Sequence, residues 1–189
     1  MTQSPIELLM AEHRIIARVL AATASLADQL ELDQPLDAQV FKDLIDFMHI
    51  YADQSHHGKE EEVLFPLLKK RMSVKKGSPF EGLIKEHERC RDLTAALVEA
   101  AEDFELGDPT AREDLITCLR GIVHLYPGHM WKEDYLLFPS IEKILKPEDL
   151  DQLSRDFTKL EGLIGPENLQ HLEEVAEALL NDHEASLSI

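Results

Sequence analysis

Apolar residues recur at helical spacing along most of the chain, and four long stretches carry such a stripe. In the first, Leu9, Ile16, Leu20, Ala24 and Ala27 fall on one face, with His13 inside the stripe. Its start is written in Ser4-Pro5-Ile6-Glu7: Ser4 as N-cap, Pro5 at the first helical position, Glu7 closing a capping box. Gln34-Pro35 breaks the pattern, so this helix ends near Leu32. The second stripe, Phe41, Ile45, Met48, Ala52, His56, Glu60, Val63 and Leu67, predicts a helix from about Leu36 to about Met72. A basic loop, Ser73 to Gly77, follows. Helix three starts at Ser78-Pro79-Phe80-Glu81, a second copy of the first helix start, and carries Phe80, Leu83, Ile84, His87, Thr94, Leu97 and Val98 on its core side. Gly107-Asp108-Pro109 ends it. Helix four runs from near Thr110 to about Leu145 with Leu119, Ile122, Tyr126, His129, Glu133 and Leu137 as its stripe; Pro127-Gly128 predicts a kink or bulge just before His129. Beyond Pro147, two shorter helices are expected, roughly 148–160 and 166–181, with Gly162 and Gly165 between them, packing on the bundle or forming an interface.

The first and third helix starts are related by a constant offset of 74 residues, which carries Glu12-His13 onto Glu86-His87. The second and fourth helices share a longer phrase. His56-His57-Gly58-Lys59-Glu60-Glu61-Glu62-Val63-Leu64-Phe65-Pro66 and His129-Met130-Trp131-Lys132-Glu133-Asp134-Tyr135-Leu136-Leu137-Phe138-Pro139 both read His-x-x-Lys-Glu-acid-x-x-Leu-Phe-Pro, at an offset of 73. On a helix, positions i and i+4 lie one above the other, so His56 stands with Glu60 and His129 with Glu133. A polar pair on an apolar stripe needs a partner or a metal, and imidazole with carboxylate suits iron, zinc or manganese. His57 with Glu61 is a second i, i+4 pair one step round the helix; its register relative to Phe65-Pro66 does not match the second phrase, so His56 and Glu60 are preferred.

Chain lengths place these residues together. His13 lies 21 residues before Gln34 and His56 22 after it; His87 lies 21 before Asp108 and His129 21 after it. At about 1.5 Å per residue each sits roughly 30 Å from its own loop. In an up-down-up-down four-helix bundle, His13, His56, Glu60, His87, His129 and Glu133 are then level in the core, donors enough for two metals sharing carboxylates.

With these residues the chain resembles the hemerythrin-like, HHE-type cation-binding proteins. The resemblance covers residues 4 to 145, so that 1–146 forms the bundle and 147–189 a C-terminal helical extension. It rests on two His-x-x-x-Glu motifs, each with Leu-Phe-Pro downstream, and a lone histidine on each of the other two helices. It implies two non-haem irons per chain, with Glu60 and Glu133 as bridging ligands. It also implies oxygen binding, or a response to oxygen, nitric oxide or iron. The alternatives are a di-iron oxidoreductase acting on nitric oxide or peroxide, and an iron-centre repair or iron-donor protein. One departure bears on this. Oxygen carriers of the family place a further histidine one turn after the third-helix ligand and have a His-x-x-x-x-Asp motif; here Arg91 follows His87, and the second motif carries Glu133. Arg91 cannot ligate, so one iron is expected to be less saturated than in a carrier. A ferritin-like carboxylate site would need Glu-x-x-His on two helices, and no glutamate here has a histidine three residues on.

The remaining chemistry is expected to be structural. His49, His124 and Tyr126 read as cavity-lining or core residues, His57 as outer-layer or solvent-facing, His171 and His183 as surface, and Cys90 and Cys118 as free, buried thiols. Of the Glu60-Glu61-Glu62 run, only Glu60 lies on the stripe. A net charge of −18 argues against nucleic acid and anionic membranes as partners. No apolar run spans a membrane and no signal sequence opens the chain, so a cytoplasmic location is the expectation.

Overall fold

The computed structural model describes residues 3–72, 79–141 and 143–186, with side chains to residue 180. The predicted Ser78 cap, the 73–77 loop and the His183 side chain lie outside the described residues. All regular structure among the described residues is helical. Helix α1 (Pro5–Glu31) begins as the sequence dictates: the Ser4 hydroxyl accepts from the Glu7 N–H, and the Glu7 carboxylate accepts from the Ser4 N–H at 2.8 Å. The second run opens as α2 (Gln39–Asp46) and closes as α3 (Phe65–Met72). Between them the hydrogen-bond ladder widens to i→i+5 in two π-helical segments, π1 (Phe47–His57) and π2 (Lys59–Leu64). Helix α4 (Pro79–Glu105) is followed by α5 (Ala111–Lys132), a third π segment π3 (Glu133–Leu137) and the short α6 (Phe138–Ile141). Helices α7 (Pro147–Ile164) and α8 (Pro166–Ser186) complete the chain.

Four features differ from the expectation. The second helix is not a continuous α-helix, because its centre is π-helical. The fourth run stops at Ile141, not Leu145. It also passes Pro127 as unbroken α-helix, and the bulge falls after His129, at π3. Pro127 faces solvent, where water can serve the Val123 carbonyl that the proline leaves without a donor. In the tail, α7 continues through Gly162, and only Gly165, with φ +100°, makes the turn into α8.

The four runs form a ring, α4 against α5, α5 against α1, α1 against π1, and π1 and α2 against α4. Gly121 lets α4 and α5 approach closely, since a Cβ there would meet Leu93 Cδ2 at 2.7 Å. Helix α8 lies on α1 and π1, and α7 on π2. Arg71 of α3 is bonded to the Asp149 carboxylate of α7 at 2.5 Å. Two apolar clusters fill the interior. One, around Ile6, Leu9, Phe65, Phe80, Phe138 and Phe157, lies toward one end. The other, around Ile16, Phe41, Phe47, Leu97, Leu119 and Ile122, includes Leu172 and Ala176 of α8. The buried polar residues His13, His56, His57, Glu60, His87, His129 and Glu133 sit in neither cluster.

Candidate metal centre

The structure brings all six expected residues together. Helix α1 supplies His13, π1 His56, π2 Glu60, α4 His87, α5 His129 and π3 Glu133, each at most 2% exposed. Donor atoms of His13, His56, Glu60 and Glu133 lie within 4.8 Å of one another, and so do those of Glu60, His87, His129 and Glu133. The two glutamates belong to both groups. His13 Nε2 lies 3.2 Å from Glu133 Oε2, His129 Nε2 3.2 Å from Glu133 Oε2, and His87 Nε2 3.4 Å from Glu60 Oε2.

A third group adds a residue that the sequence reading set aside. His57 is fully buried, not solvent-facing, and its donor lies within 4.8 Å of those of His87 and His129. Its ring stacks on His87 at 3.9 Å between centroids, 11° from parallel, with Tyr126 stacked 6.0 Å away. An α-helix turns every 3.6 residues, which would send His57 off the face that carries His56. In the wider π1 segment two adjacent histidines both reach the interior, one toward each group. Arg91 therefore does not leave its side short of imidazole: His57 reaches it from the second helix. The expectation of a less saturated site beside Arg91 did not count this imidazole.

Each of the five histidines also meets a carboxylate through its other ring nitrogen. His13 Nδ1 donates to Asp134 at 2.8 Å, His56 to Glu12 at 2.9 Å, His57 to Asp53 at 3.3 Å, His87 to Glu61 at 2.7 Å and His129 to Glu86 at 3.2 Å. An ionised carboxylate can only accept, so these bonds put the proton on Nδ1 and turn the Nε2 lone pair inward. The chain repeat governs the pattern. Glu12 and Glu86, each preceding a lone histidine, hold the histidine of the opposite motif; Glu61 and Asp134, each following a shared glutamate, hold the lone histidine of another helix. Lysines complete it: Lys59 bonds Glu12, and Lys132 bonds Glu86. Arg91 donates to Asp53 at 2.8 Å and to Glu61 at 2.7 Å, clamping the carboxylates behind His57 and His87.

Inside this shell, buried polar atoms are left over. His13 Nε2, His56 Nε2, His57 Nε2 and all four carboxylate oxygens of Glu60 and Glu133 have no hydrogen-bond partner. Such atoms are costly in a protein interior, and cations coordinated by them remove the cost. The donor set, imidazole nitrogen and carboxylate oxygen with satisfied outer partners, fits transition-metal ions.

Protonation in the metal-free cluster follows from burial and mutual charge. Burial, then the Glu133 charge, pushes the Glu60 carboxyl well above its ordinary range. Burial would raise Glu133 too, but the charge on His129 and the nearby imidazoles of His13 and His87 outweigh it and hold it low. Burial opposes charge on His13, yet its bond to Asp134 and the nearby Glu133 carboxylate raise it to about 10. Burial and the neighbouring His13 push His56 down to about 4, and burial with His87 pushes His57 well down. Protons thus occupy places that a metal would take, and metal entry displaces them.

The other expectations divide. Cys90 and Cys118 are free and buried, and burial raises the Cys90 thiol to about 12. Tyr126 is core. His49 and His124 are exposed, not core, and His171 is exposed as expected. Glu61 is no plain solvated residue, since it holds His87 and Arg91. The repeated Glu-His and Lys-Glu-acid phrases were a visible signal for the outer carboxylates; nothing periodic marked Asp53.

The family model of the hemerythrin HHE cation-binding domain matches residues 4–141. Uncharacterised proteins from Mycobacterium bovis and two strains of Mycobacterium tuberculosis are 22% identical over 149 residues, covering 79% of this chain. The match covers 58% of the length of those relatives. No solved structure matches the chain significantly. No helix among the described residues is long and apolar enough to cross a membrane.

Proposed function

Since the chain belongs to the hemerythrin HHE cation-binding family, we propose that it holds two metal ions, iron first, and responds through them to oxygen, nitric oxide or iron supply. The carrying observation is the set of five inward-facing imidazoles, each backed by its own carboxylate, around two glutamates common to both donor groups. His13 and His56 would serve one ion and His87 and His129 the other, with His57 beside them and Glu60 and Glu133 shared. Zinc or manganese suits the same donors. Iron, when bound, supplies reversible electron transfer and positions for a small diatomic ligand or peroxide.

The chain's own residues do the rest. Asp134, Glu12, Asp53, Glu61 and Glu86 keep each Nδ1 protonated and each ring oriented. The apolar clusters above and below exclude bulk water, which strengthens every charge interaction inside. The donor count is unequal, two histidines on one side and three on the other. An ion held at the His13–His56 side would therefore have fewer protein donors, and an external ligand would be expected there.

The test is metal analysis of anaerobically purified protein, followed by optical spectra on adding oxygen, nitric oxide or peroxide. Two ions per chain and one stoichiometric, reversible spectral change support a sensor. Repeated turnover with a reductant assigns the oxidoreductase alternative instead. One ion per chain, retained after His13→Ala and His87→Ala together, would refute the two-ion site.

A further inference from the structure

The two halves of the bundle carry the same outer network, but only one is covered. In the first half α7 and α8 lie over α1, π1 and π2 and bring carboxylates to three polar residues there. Glu161 meets Lys59 at 2.8 Å, Glu173 accepts from the Tyr51 hydroxyl at 3.3 Å, and Glu177 pairs with Arg18 at 2.6 Å. Leu160 packs over Gly58, where an added Cβ would lie 3.5 Å from it. Lys59 is consequently 0% exposed.

The chain repeat maps Lys59, Tyr51, Arg18 and Gly58 onto Lys132, His124, Asp92 and Trp131. These four are all exposed, Trp131 to 53%. Between α4 and α5 lies an open groove of about 430 Å³, lined by Glu86, Arg89, Asp92, Leu125, Lys132 and, at its base, His129. The face that the chain covers with its own α7 and α8 on one side, leaving about 370 Å³ beneath them, is uncovered on the other. Beside the groove, next to Lys132, stands the exposed Trp131 where the covered side has Gly58.

We propose that a second copy of this chain covers this groove, in a twofold-symmetric contact between α4–α5 faces. Charge favours that occupant. The molecule as a whole carries −18, so two copies repel unless they meet on a neutral face. This face balances Glu86 and Asp92 against Arg89 and Lys132. Arg89 and Asp92, three residues apart on α4, make no ion pair with each other or with any other described residue. About a twofold axis, Arg89 of each copy faces Asp92 of the other, the reciprocal pairing of an isologous interface. Trp131 supplies the aromatic anchor common in such contacts. The second copy then shields Lys132 as α7 shields Lys59.

The test is molecular mass by light scattering and sedimentation over a concentration series, with the full chain. The wild type is expected to reach twice the 21.5 kDa chain mass. Arg89→Asp and Asp92→Arg should each weaken the dimer by roughly tenfold or more, since like charges then face each other. The combined Arg89→Asp/Asp92→Arg chain should dimerise again. Both positions are exposed, and circular dichroism checks that each variant folds; Trp131→Ala, outside the charge pair, should weaken the dimer independently. A monomer throughout overturns the proposal and leaves the groove to another protein. A dimer indifferent to the reversals and to Trp131→Ala assigns the contact to a different face. Failure of the double reversal to recover overturns the reciprocal pairing.

Discussion

Replacing Lys59 by methionine isolates what the C-terminal helices do for the centre. Lys59 Nζ is 0% exposed and bonded to Glu12, to Glu161 at 2.8 Å and to Ser55 at 3.1 Å. Burial would raise Glu12, but its bond to His56, the His56 charge and Lys59 hold it low. Methionine fills much of the same volume and leaves Glu12 and Glu161 facing each other without a cation. Removing one partner of a buried ion network costs about 3–5 kcal/mol. For a chain of this size about 2–4 °C of melting temperature follows each kcal/mol, so a fall of roughly 6–20 °C is expected. Lys132→Met is the internal control, being the same residue in the repeat. Its side chain is 46% exposed, and solvent screening limits it to about 1 kcal/mol at most, below roughly 4 °C. Both are read by thermal circular dichroism of metal-free protein, dilute enough to be monomeric. Equal losses for the two would refute the argument from burial, as would a Lys59→Met shift within that of Lys132→Met.

Other consequences can be measured separately. His57→Ala is expected to weaken one of the two metal ions by at least about tenfold in chelator competition; unchanged affinity and stoichiometry would make His57 a packing residue. Arg91→Met frees Asp53 and Glu61, and metal affinity should fall about 10–100-fold with helical content unchanged; unaltered affinity would show that the clamp does not matter. The Asp149 carboxyl is held below its ordinary range by the Arg71 bond and the Lys146 N–H. A depressed carboxylate stabilises above its unfolded pKa and loses that contribution as pH falls through its folded value. Asp149→Asn should therefore lower the melting temperature at neutral pH and match the wild type in strong acid; a deficit that persists in acid would assign the effect to packing.

The sequence carried the bundle because the repeat, the Ser-Pro-x-Glu helix start and the four stripes all spoke for the same helices. His13, His56, Glu60, His87, His129 and Glu133 were legible because each is a polar residue on an apolar stripe, at matching distances from a loop. His57 was not, because a wheel drawn at the α-helical period sends it off the face that the π-helical ladder gives it. Asp53 and Glu161 were hidden for another reason. Arg91 and Lys59, which they hold, lie on other helices, and no local spacing encodes a contact across a bundle; the i, i+4 contact of Asp53 with His57 was local, but it had meaning only once His57 was placed inside. The coverage of Lys59 by α7 was equally out of reach, since the repeat makes Lys59 and Lys132 look alike.

The π-helical stretches give the second helix a choice of hydrogen-bond ladders. Over Phe47–His57, 11 residues hold the i→i+5 pattern, where most chains keep a single such turn. The ordinary ladder lies one residue away in register, and slipping into it would rotate His56 and His57 relative to one another's targets. Cations bound on both sides of that segment would act as a clutch, holding the wide ladder engaged. Released, the segment becomes the part of the bundle most ready to change its winding, and its backbone amides the first to exchange with water.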